Sequence, residues 1–211
     1  MKVSDVRNFN QIKLILENTN KIKIEIRNLE ELDLFISLLS KDLSKFPILM
    51  VLKAAIIEFV LNGFKAFQKR KFFKLKNLSL NDDYEEGNEL FKHELMNGGM
   101  NTNDFKELEP FLYIEFLKLE NTLITRVVNN FEMSKEEYGI VLNLMEKGKS
   151  ITGVDSSFEH NKYAEGAGLG ILLIFSMLKN SGVGLNNIGF ESKNNETIFF
   201  LKIPYTMFNN G

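Results

Sequence analysis

Apolar and polar residues alternate or recur at helical spacing along most of the chain, and these two patterns predict its strands and helices. Lys21–Arg27 alternates residue by residue, which is typical of a strand with one buried face. Leu29–Leu43 has apolar residues at helical spacing, and Pro47 opens a second helix that extends to about Lys71. This second helix is apolar on almost every side up to Leu61, so we expect it to lie in the core.

The later part of the chain predicts two β-hairpins and three further helices. Lys71–Leu80 has the composition of a strand, and Ser134 and Glu137 fit a capping box at a helix start. The other predicted elements are a surface helix at Asp82–Met96 ended by Gly98 and Gly99, a loop at Met96–Asp104, a hairpin of Phe111–Glu120 and Thr122–Val128, a helix from Ser134 to about Glu146, an irregular segment at Gly148–Glu165, a helix at Gly168–Ser181 capped by Gly182, and a hairpin of Leu185–Ser192 and Thr197–Ile203. This succession favours an α+β fold, a two-layer sandwich whose mostly antiparallel sheet is covered on one face by helices.

Composition narrows the classes of function. The 211 residues, 44% of them hydrophobic, predict a single domain with one sizeable core. Lysine and arginine number 26 against 28 acidic residues, a balance that argues against nucleic acid or a membrane surface as partner.

The absence of cysteine excludes disulfides and thiolate chemistry and is compatible with a cytoplasmic location. The longest apolar run, Pro47–Leu61, is too short to predict a membrane span, and the N-terminus lacks the apolar stretch of a signal peptide.

Three polar residues stand out on the second helix. Glu58, Asn62 and Lys65 follow one another at intervals of four and three residues, which aligns them in one narrow stripe. An amide oxygen can hold Mg²⁺, a carboxylate can orient or deprotonate a water, and an ammonium can meet a phosphate. The alternative is that the helix simply emerges from the core here, with Lys65 in solvent and Glu58 in an ion pair.

A glycine-rich segment, Gly166–Gly170, directly precedes the last apolar helix. Glycines allow the backbone to approach a ligand closely, and the helix N-terminus offers N–H groups to a phosphate. The same glycines also fit an ordinary loop before a helix. Their spacing departs from the dinucleotide-binding fingerprint, and Gly148-Lys149-Ser150 lacks the first glycine of a phosphate-binding loop.

In this order, Glu58–Ala66 and Gly166–Gly170 resemble the N box and the second glycine box of a family of ATP-binding domains. The family is the one shared by sensor histidine kinases, anti-sigma-factor serine kinases and DNA gyrase. Leu123–Ser134 stands where that family has the strand leading to its first glycine box. The element order agrees over roughly Lys21–Pro204, and the layout is most similar to anti-sigma-factor kinases and stand-alone sensor-kinase domains. The segment at about 71–110 is longer than the family has there and is interpreted as an insertion.

The resemblance implies ATP and Mg²⁺ as cofactors, a role as a protein kinase or ATPase in signalling, and a protein partner. Asn62 would ligate Mg²⁺, Glu58 would be the catalytic residue that positions or activates a water, and Lys65 would lie near the phosphates. The segment Gly148–Glu165 would form a lid over the nucleotide. The cofactor-binding residues carried over on the matching motifs are Asn62, Lys65, Asn129, Gly166, Gly168, Leu169 and Gly170.

The first glycine box is where the chain departs from the family. The family has Asp-x-Gly-x-Gly, whose aspartate accepts a hydrogen bond from the adenine amino group, and here Asn129, Phe131 and Met133 stand at the three positions. An asparagine oxygen can still accept, without the charge that strengthens such a bond. Phe131 and Met133 are bulky where the adenine pocket is expected and could fill it. The alternative function is therefore a degenerate, non-catalytic member of the fold that binds a partner protein or another ligand.

The two histidines are interpreted as surface residues. His93-Glu94-Leu95 matches the phospho-acceptor triplet of sensor kinases, but it follows the N box instead of preceding it, and His160 lies in the predicted lid. With two histidines and no cysteine, we expect no transition-metal site. The oligomeric state is not indicated by any pattern in the sequence.

Overall fold

The computed structural model describes residues 1–97, 112–150 and 169–208, which form a five-stranded sheet and six α-helices. The helices are α1 (Phe9–Thr19), α2 (Leu29–Ser40), α3 (Leu49–Leu75), α4 (Tyr84–Met96), α5 (Lys135–Ser150) and α6 (Leu169–Ser181), and the strands are β1 (Lys21–Ile26), β2 (Leu112–Leu119), β3 (Thr122–Asn129), β4 (Ile188–Lys193) and β5 (Glu196–Pro204). The sheet order is β1-β2-β3-β5-β4, and every adjacent pair is antiparallel. The α+β prediction with its two hairpins is confirmed. None of the described helices is both long and apolar enough to cross a membrane.

Each strand turns alternate residues towards the helices, as the period of two requires. In β1 the three isoleucines are buried while Lys21, Lys23 and Glu25 point to the other face. The register pairs Ile24 with Ile114 of β2, so the buried sets of neighbouring strands lie on one face of the sheet. On the opposite face the carboxylate of Glu115 lies 3.0 Å from both Lys21 and Arg126. The sheet is therefore apolar beneath the helices and carries ion pairs on its outer face.

Polar side chains set the helix ends. Asn28 Oδ1 accepts the backbone N–H of Glu31 at 2.8 Å and begins α2. Ser134 Oγ accepts the N–H of Glu137 at 3.2 Å, and Glu137 Oε2 accepts the N–H of Ser134 at 3.1 Å. This reciprocal pair confirms the predicted capping box at the start of α5. Gly182 has a φ of 76°, the left-handed conformation that ends a helix, so its predicted capping of α6 is also confirmed.

Helix α3 occupies the middle of the helical layer. It contacts β2, β3 and β5 on the sheet side and α2, α4 and α6 on its other sides. Eleven of its 27 residues are buried, and most of these lie in its first half. The prediction that this helix is part of the core is confirmed, because its apolar residues find a partner in almost every direction.

The prediction of a strand at Lys71–Leu80 is wrong. Helix α3 continues to Leu75, and the chain then turns into α4. Phe72 and Phe73 form a second, smaller apolar cluster with Phe91 of α4. The rings of Phe72 and Phe91 lie 5.6 Å apart, so the two phenylalanines are used to hold α4 against the end of α3.

Smaller corrections concern the ends of other elements. Helix α3 begins at Leu49, after a turn that contains Pro47, and β4 begins at Ile188 after a short 3₁₀ turn. The predicted irregular segment is wrong at its start, because α5 continues to Ser150 and Gly148 is a buried residue of that helix. A Cβ atom at Gly148 would overlap the ring of Phe175, so the close packing of α5 on α6 needs glycine there. The predicted features at 98–104 and the rest of the segment up to 165 lie outside the described residues.

The two glycines of α5 allow a matched test of this packing. We expect Gly148→Ala to lower the free energy of unfolding by about 1–3 kcal/mol, because the methyl group must displace Phe175. Gly139→Ala, in the same helix, has no atom within 4 Å of its new methyl group and should raise stability by about 0.5–1 kcal/mol. Urea denaturation of the two variants measures both values. Equal effects of the two substitutions would contradict the described contact between α5 and α6.

Candidate functional site

The predicted polar stripe on α3 lies where this helix leaves the core. Glu58 and Asn62 are half-buried and Lys65 is exposed. The side-chain amide of Asn62 donates from Nδ2 to Glu58 Oε1 at 3.1 Å. In the described part of the chain no hydrogen bond engages the Asn62 amide oxygen, so this oxygen is the atom available to a ligand.

Glu58 meets the start of α6. A Cβ atom at Gly170 would overlap the Glu58 carboxylate, and Leu169 and Gly170 form the first turn of α6. A negative charge beside the N-terminal turn of a helix is favourable, because it interacts with the positive end of the helix dipole. The N-box-like and glycine-rich motifs therefore touch at this point, although they are more than a hundred residues apart in the sequence. Gly166 and Gly168 lie outside the described residues.

Asn129 reaches the same region from the sheet. It is the last residue of β3, is only 6% exposed, and its Nδ2 lies 3.7 Å from the place of a Cβ atom at Gly63 of α3. Its Oδ1 accepts the backbone N–H of Phe131 at 3.3 Å. Thr197 of β5, the register partner of Asn129, donates from Oγ1 to the carbonyl oxygen of Phe131 at 2.6 Å. These two hydrogen bonds hold the chain just after β3 against the start of β5.

A cavity of about 620 Å³ opens beside these residues. Its volume lies in the range of small-molecule sites in proteins. Asn62, Lys65 and Asn129 line it, whereas Glu58, one turn earlier on α3, is not part of the described wall. The remaining described lining consists of Ala66, Lys69, Arg70, Tyr84, Asn88, Phe91, Lys92, Leu95, Phe131, Met133, Glu137, Ile140, Val141, Asn143, Leu144, Lys147, Ile171, Thr197 and Phe199.

Phe131 and Met133 line the cavity without closing it. The ring of Phe131 packs against Phe67 of α3 at a centroid distance of 5.8 Å, with the guanidinium of Arg70 5.4 Å from its centre. The backbone N–H of Met133 donates to Ser192 Oγ at 2.8 Å. Both side chains are partly buried against the core, and the cavity remains open beside them. Phe131 and Met133 therefore shape the wall of the site and do not fill it.

The charged residues of the described lining are mainly cationic. Five cations line it, from α3, α4 and α5, against the single carboxylate of Glu137; the cations are Lys65, Lys69, Arg70, Lys92 and Lys147. Glu137 Oε2 lies 2.8 Å from Arg70, and Oε1 lies 3.6 Å from Lys69. A pocket with this charge ratio favours an anionic ligand, because low-dielectric walls strengthen the field inside it.

Burial shifts two pKa values at the α3–α4 side of the cavity. Desolvation lowers the pKa of Lys69, and the carboxylate of Glu137 opposes that shift. The Lys69 ammonium donates to Tyr84 Oη at 3.2 Å. Desolvation, with the negative charges of Glu137 and Glu136 nearby, raises the pKa of Tyr84 to about 12. The phenol is therefore neutral near pH 7 and serves as a hydrogen-bonding group for the ammonium.

Sequence reasoning missed the wall formed by α4 and the cation pair Lys69 and Arg70. Lys69 follows Lys65 by four residues, so extending the stripe by one turn would have found it. Glu137 was singled out only as a capping residue, and nothing in the sequence indicated that it also binds two cations of α3. The position of α4 depends on the small cluster around Phe91, which no periodicity reveals.

The described residues hold no group of three or more histidine and acidic side chains arranged to bind a metal ion. His93 lies on the exposed side of α4 with the side chain of Asn97 3.1 Å away, in keeping with a surface role, and His160 lies outside the described residues. A metal at this site would therefore depend on the amide of Asn62 together with oxygens of a ligand and water, which is how Mg²⁺ is commonly held beside phosphates.

Comparisons with known proteins give one distant relative. An uncharacterized protein of Treponema pallidum (strain Nichols) is 28% identical over 156 residues, which are 71% of this chain and 30% of the relative. The matched part thus spans less than a third of the relative's length. No family model matches the chain. No solved structure matches it.

A double-mutant cycle tests the contact between the two motifs. We expect Gly170→Ala to be less favourable by about 1 kcal/mol in the natural protein than in a Glu58→Ala background, because the methyl group displaces the carboxylate only where it is present. The free energies of unfolding of the four proteins give this coupling. Strictly additive effects would show that the Glu58 side chain does not contact Gly170 in the first turn of α6.

Proposed function

We propose that the cavity binds ATP together with Mg²⁺, and that the chain acts as an ATP-dependent protein kinase or ATPase in signalling. One observation carries this proposal. Asn62, Lys65 and Asn129, which resemble functional positions of two separate motifs, line a single cavity that is large enough for a nucleotide. The contact of Glu58 with Gly170 supports this proposal, because it brings the glycine-rich segment to the same region.

The groups present fit such a ligand. The Asn62 amide nitrogen is engaged by Glu58, which leaves the oxygen, the ligand that Mg²⁺ prefers. Bound Mg²⁺ would offset the charge of the phosphates. Lys65 would bind a phosphate oxygen, and the backbone of Gly166, Gly168, Leu169 and Gly170 would donate N–H groups to the phosphates. The five cations of the lining supply further attraction for a triphosphate.

Glu58 is the proposed catalytic residue. Its carboxylate lies beside both Asn62 and the first turn of α6, so a water held near Asn62 would be within its reach. In this role Glu58 would orient the water or the hydroxyl of a protein substrate and accept its proton. We propose a cytoplasmic protein with a protein partner, in keeping with ATP as substrate and with a chain free of cysteine.

The second candidate is a non-catalytic member of the same fold that binds a partner protein or another ligand. The wall after β3 favours it. Phe131 and Met133 make this wall apolar, and the Asn129 oxygen that would meet an adenine amino group already accepts the N–H of Phe131 at 3.3 Å. A ligand with less need for a hydrogen-bond acceptor there would suit the cavity better than adenine does.

Nucleotide binding is tested by thermal unfolding with Mg²⁺–ATP, Mg²⁺–ADP and Mg²⁺–GTP. At about 100 times the dissociation constant, ATP or ADP should add about 2.7 kcal/mol to the stability. Asn62→Ala should abolish the shift because it removes the metal ligand. Asn18→Ala, on the exposed surface of α1, is the matched control and should keep it. An absence of any shift with all three nucleotides would refute the proposal.

Catalysis is tested by steady-state ATP turnover. We expect Glu58→Gln to lower kcat about 100-fold or more, because it removes the proton acceptor and retains the size of the side chain. Glu17→Gln, on the exposed face of α1, should leave turnover unchanged. Turnover that is equal in both variants would remove Glu58 from the chemistry, and nucleotide binding without turnover would favour the non-catalytic candidate.

A further inference from the structure

The α3–α4 side of the cavity carries three cations to which the proposed nucleotide site assigns no direct contact. Lys69 and Arg70 reach it from α3, and Lys92 reaches it from α4. Asn88 lies one helical turn before Lys92 and lines the same wall. Lys69 is seven residues beyond Asn62, which places this group about 10 Å further along the helix axis.

Two of these cations are held in a largely buried position. The side chains of Lys69 and Arg70 are only 15% and 14% exposed, and Glu137 is the carboxylate paired with both. Arg70 also donates to the carbonyl oxygens of Ala66 and Glu132.

Glu137 also accepts the N–H of Ser134, so one carboxylate is divided among three donor groups. Glu137 is the one carboxylate of the described lining, although Glu136 also lies near Tyr84, so three cations of this wall face a single lining carboxylate. Burial makes an incompletely compensated cation costly.

Lys69 retains capacity to bind a further group. An ammonium has three N–H donors, and its described polar partners are Tyr84 Oη and the Glu137 carboxylate. Lys92 is paired with Glu89 of its own helix at 2.7 Å, but both side chains are substantially exposed, and such pairs contribute little. Lys92 is therefore able to exchange this partner for an anion in the cavity.

We propose that Lys69, Arg70 and Lys92, with the amide of Asn88, form a second anion-binding subsite that takes a phosphate or carboxylate group. Helix α4, which lies in the segment interpreted as an insertion, supplies half of this subsite. The group that binds is either a second charged part of the ligand held near Asn62 or a separate anion. This subsite goes beyond the proposed nucleotide site and does not require it.

Inorganic pyrophosphate is the probe, and Lys92→Gln is the deciding variant because Lys92 is partly exposed and its replacement leaves the buried Lys69–Glu137 contact in place. Calorimetric titration should show that pyrophosphate binds the natural protein and that Lys92→Gln weakens binding about tenfold. Asn88→Asp, which adds a negative charge to the same wall, should weaken it as well. Lys74→Gln, an exposed position of α3 outside the described lining, is the matched control and should bind as the natural protein does.

The source of the anion is distinguished by repeating the titration with saturating Mg²⁺–ADP. Pyrophosphate binding that persists and stays sensitive to Lys92→Gln indicates a separate anion. Pyrophosphate binding that is lost, together with weaker ADP binding in Lys92→Gln, indicates a second group of the same ligand.

Two results overturn the subsite: no pyrophosphate binding by the natural protein, or equal affinity in Lys92→Gln and Lys74→Gln. If nucleotides bind and Lys92→Gln leaves pyrophosphate affinity unchanged, the proposed subsite is refuted and the proposed nucleotide site is supported. If pyrophosphate binding depends on Lys92 and no nucleotide binds, the nucleotide proposal fails and the subsite stands.

Discussion

Helix α3 must be covered on every side over its apolar first half, whereas its second half carries polar and charged side chains that need partners or water, and the rest of the fold meets both requirements. Its apolar first half needs cover on every side, which the sheet, α2 and α6 provide. From Glu58 onward polar and charged residues appear on the same helix. If this part were fully buried, these side chains would lack both water and hydrogen-bond partners, which is costly. The cavity lies beside the second half of α3, where the packing around this helix is no longer complete. Part of its polar lining therefore comes from the same helix that forms the middle of the core.

The carboxylate of Glu137 connects this helix to α5. It caps α5 through the N–H of Ser134 and simultaneously contacts Arg70 and Lys69 of α3. Glu137 thus caps the start of α5 and also neutralises two largely buried cations of α3. The local structure of α5 and the wall of the cavity therefore depend on the same carboxylate. Small residues permit the neighbouring contacts: Gly148 lets α5 approach Phe175, and Gly170 makes room for Glu58.

The sequence was sufficient for the features that depend on local pattern. The alternation in β1, the hairpins, the burial of α3 and the capping box at Ser134 were all predictable, because each depends on residues close together in the chain. The strand predicted after Lys71 was wrong because Phe72 and Phe73 suit a strand in isolation, and only the distant Phe91 turns them into a helix contact.

The candidate site was predictable to the same extent. The stripe of Glu58, Asn62 and Lys65 follows from helical spacing, and the resemblance to the ATP-binding family suggested Asn129 as part of the same site. The sequence did not reveal that Phe131 leaves space beside it or that α4 forms one wall of the cavity. Both features depend on side-chain packing between elements that are far apart in the sequence. No periodicity encodes such packing.

We propose that a divalent metal and a nucleotide meet at Asn62 in this cavity. The most direct measurement is an NMR titration with ADP and Mn²⁺, a paramagnetic substitute for Mg²⁺ that broadens signals of nearby nuclei. We expect broadening of the side-chain amide of Asn62 and of the backbone amides of Ala66 and Asn129, only when ADP is present, while the signals of Asn18 on α1 stay sharp. Broadening that is absent, independent of ADP, or centred away from α3 would contradict it.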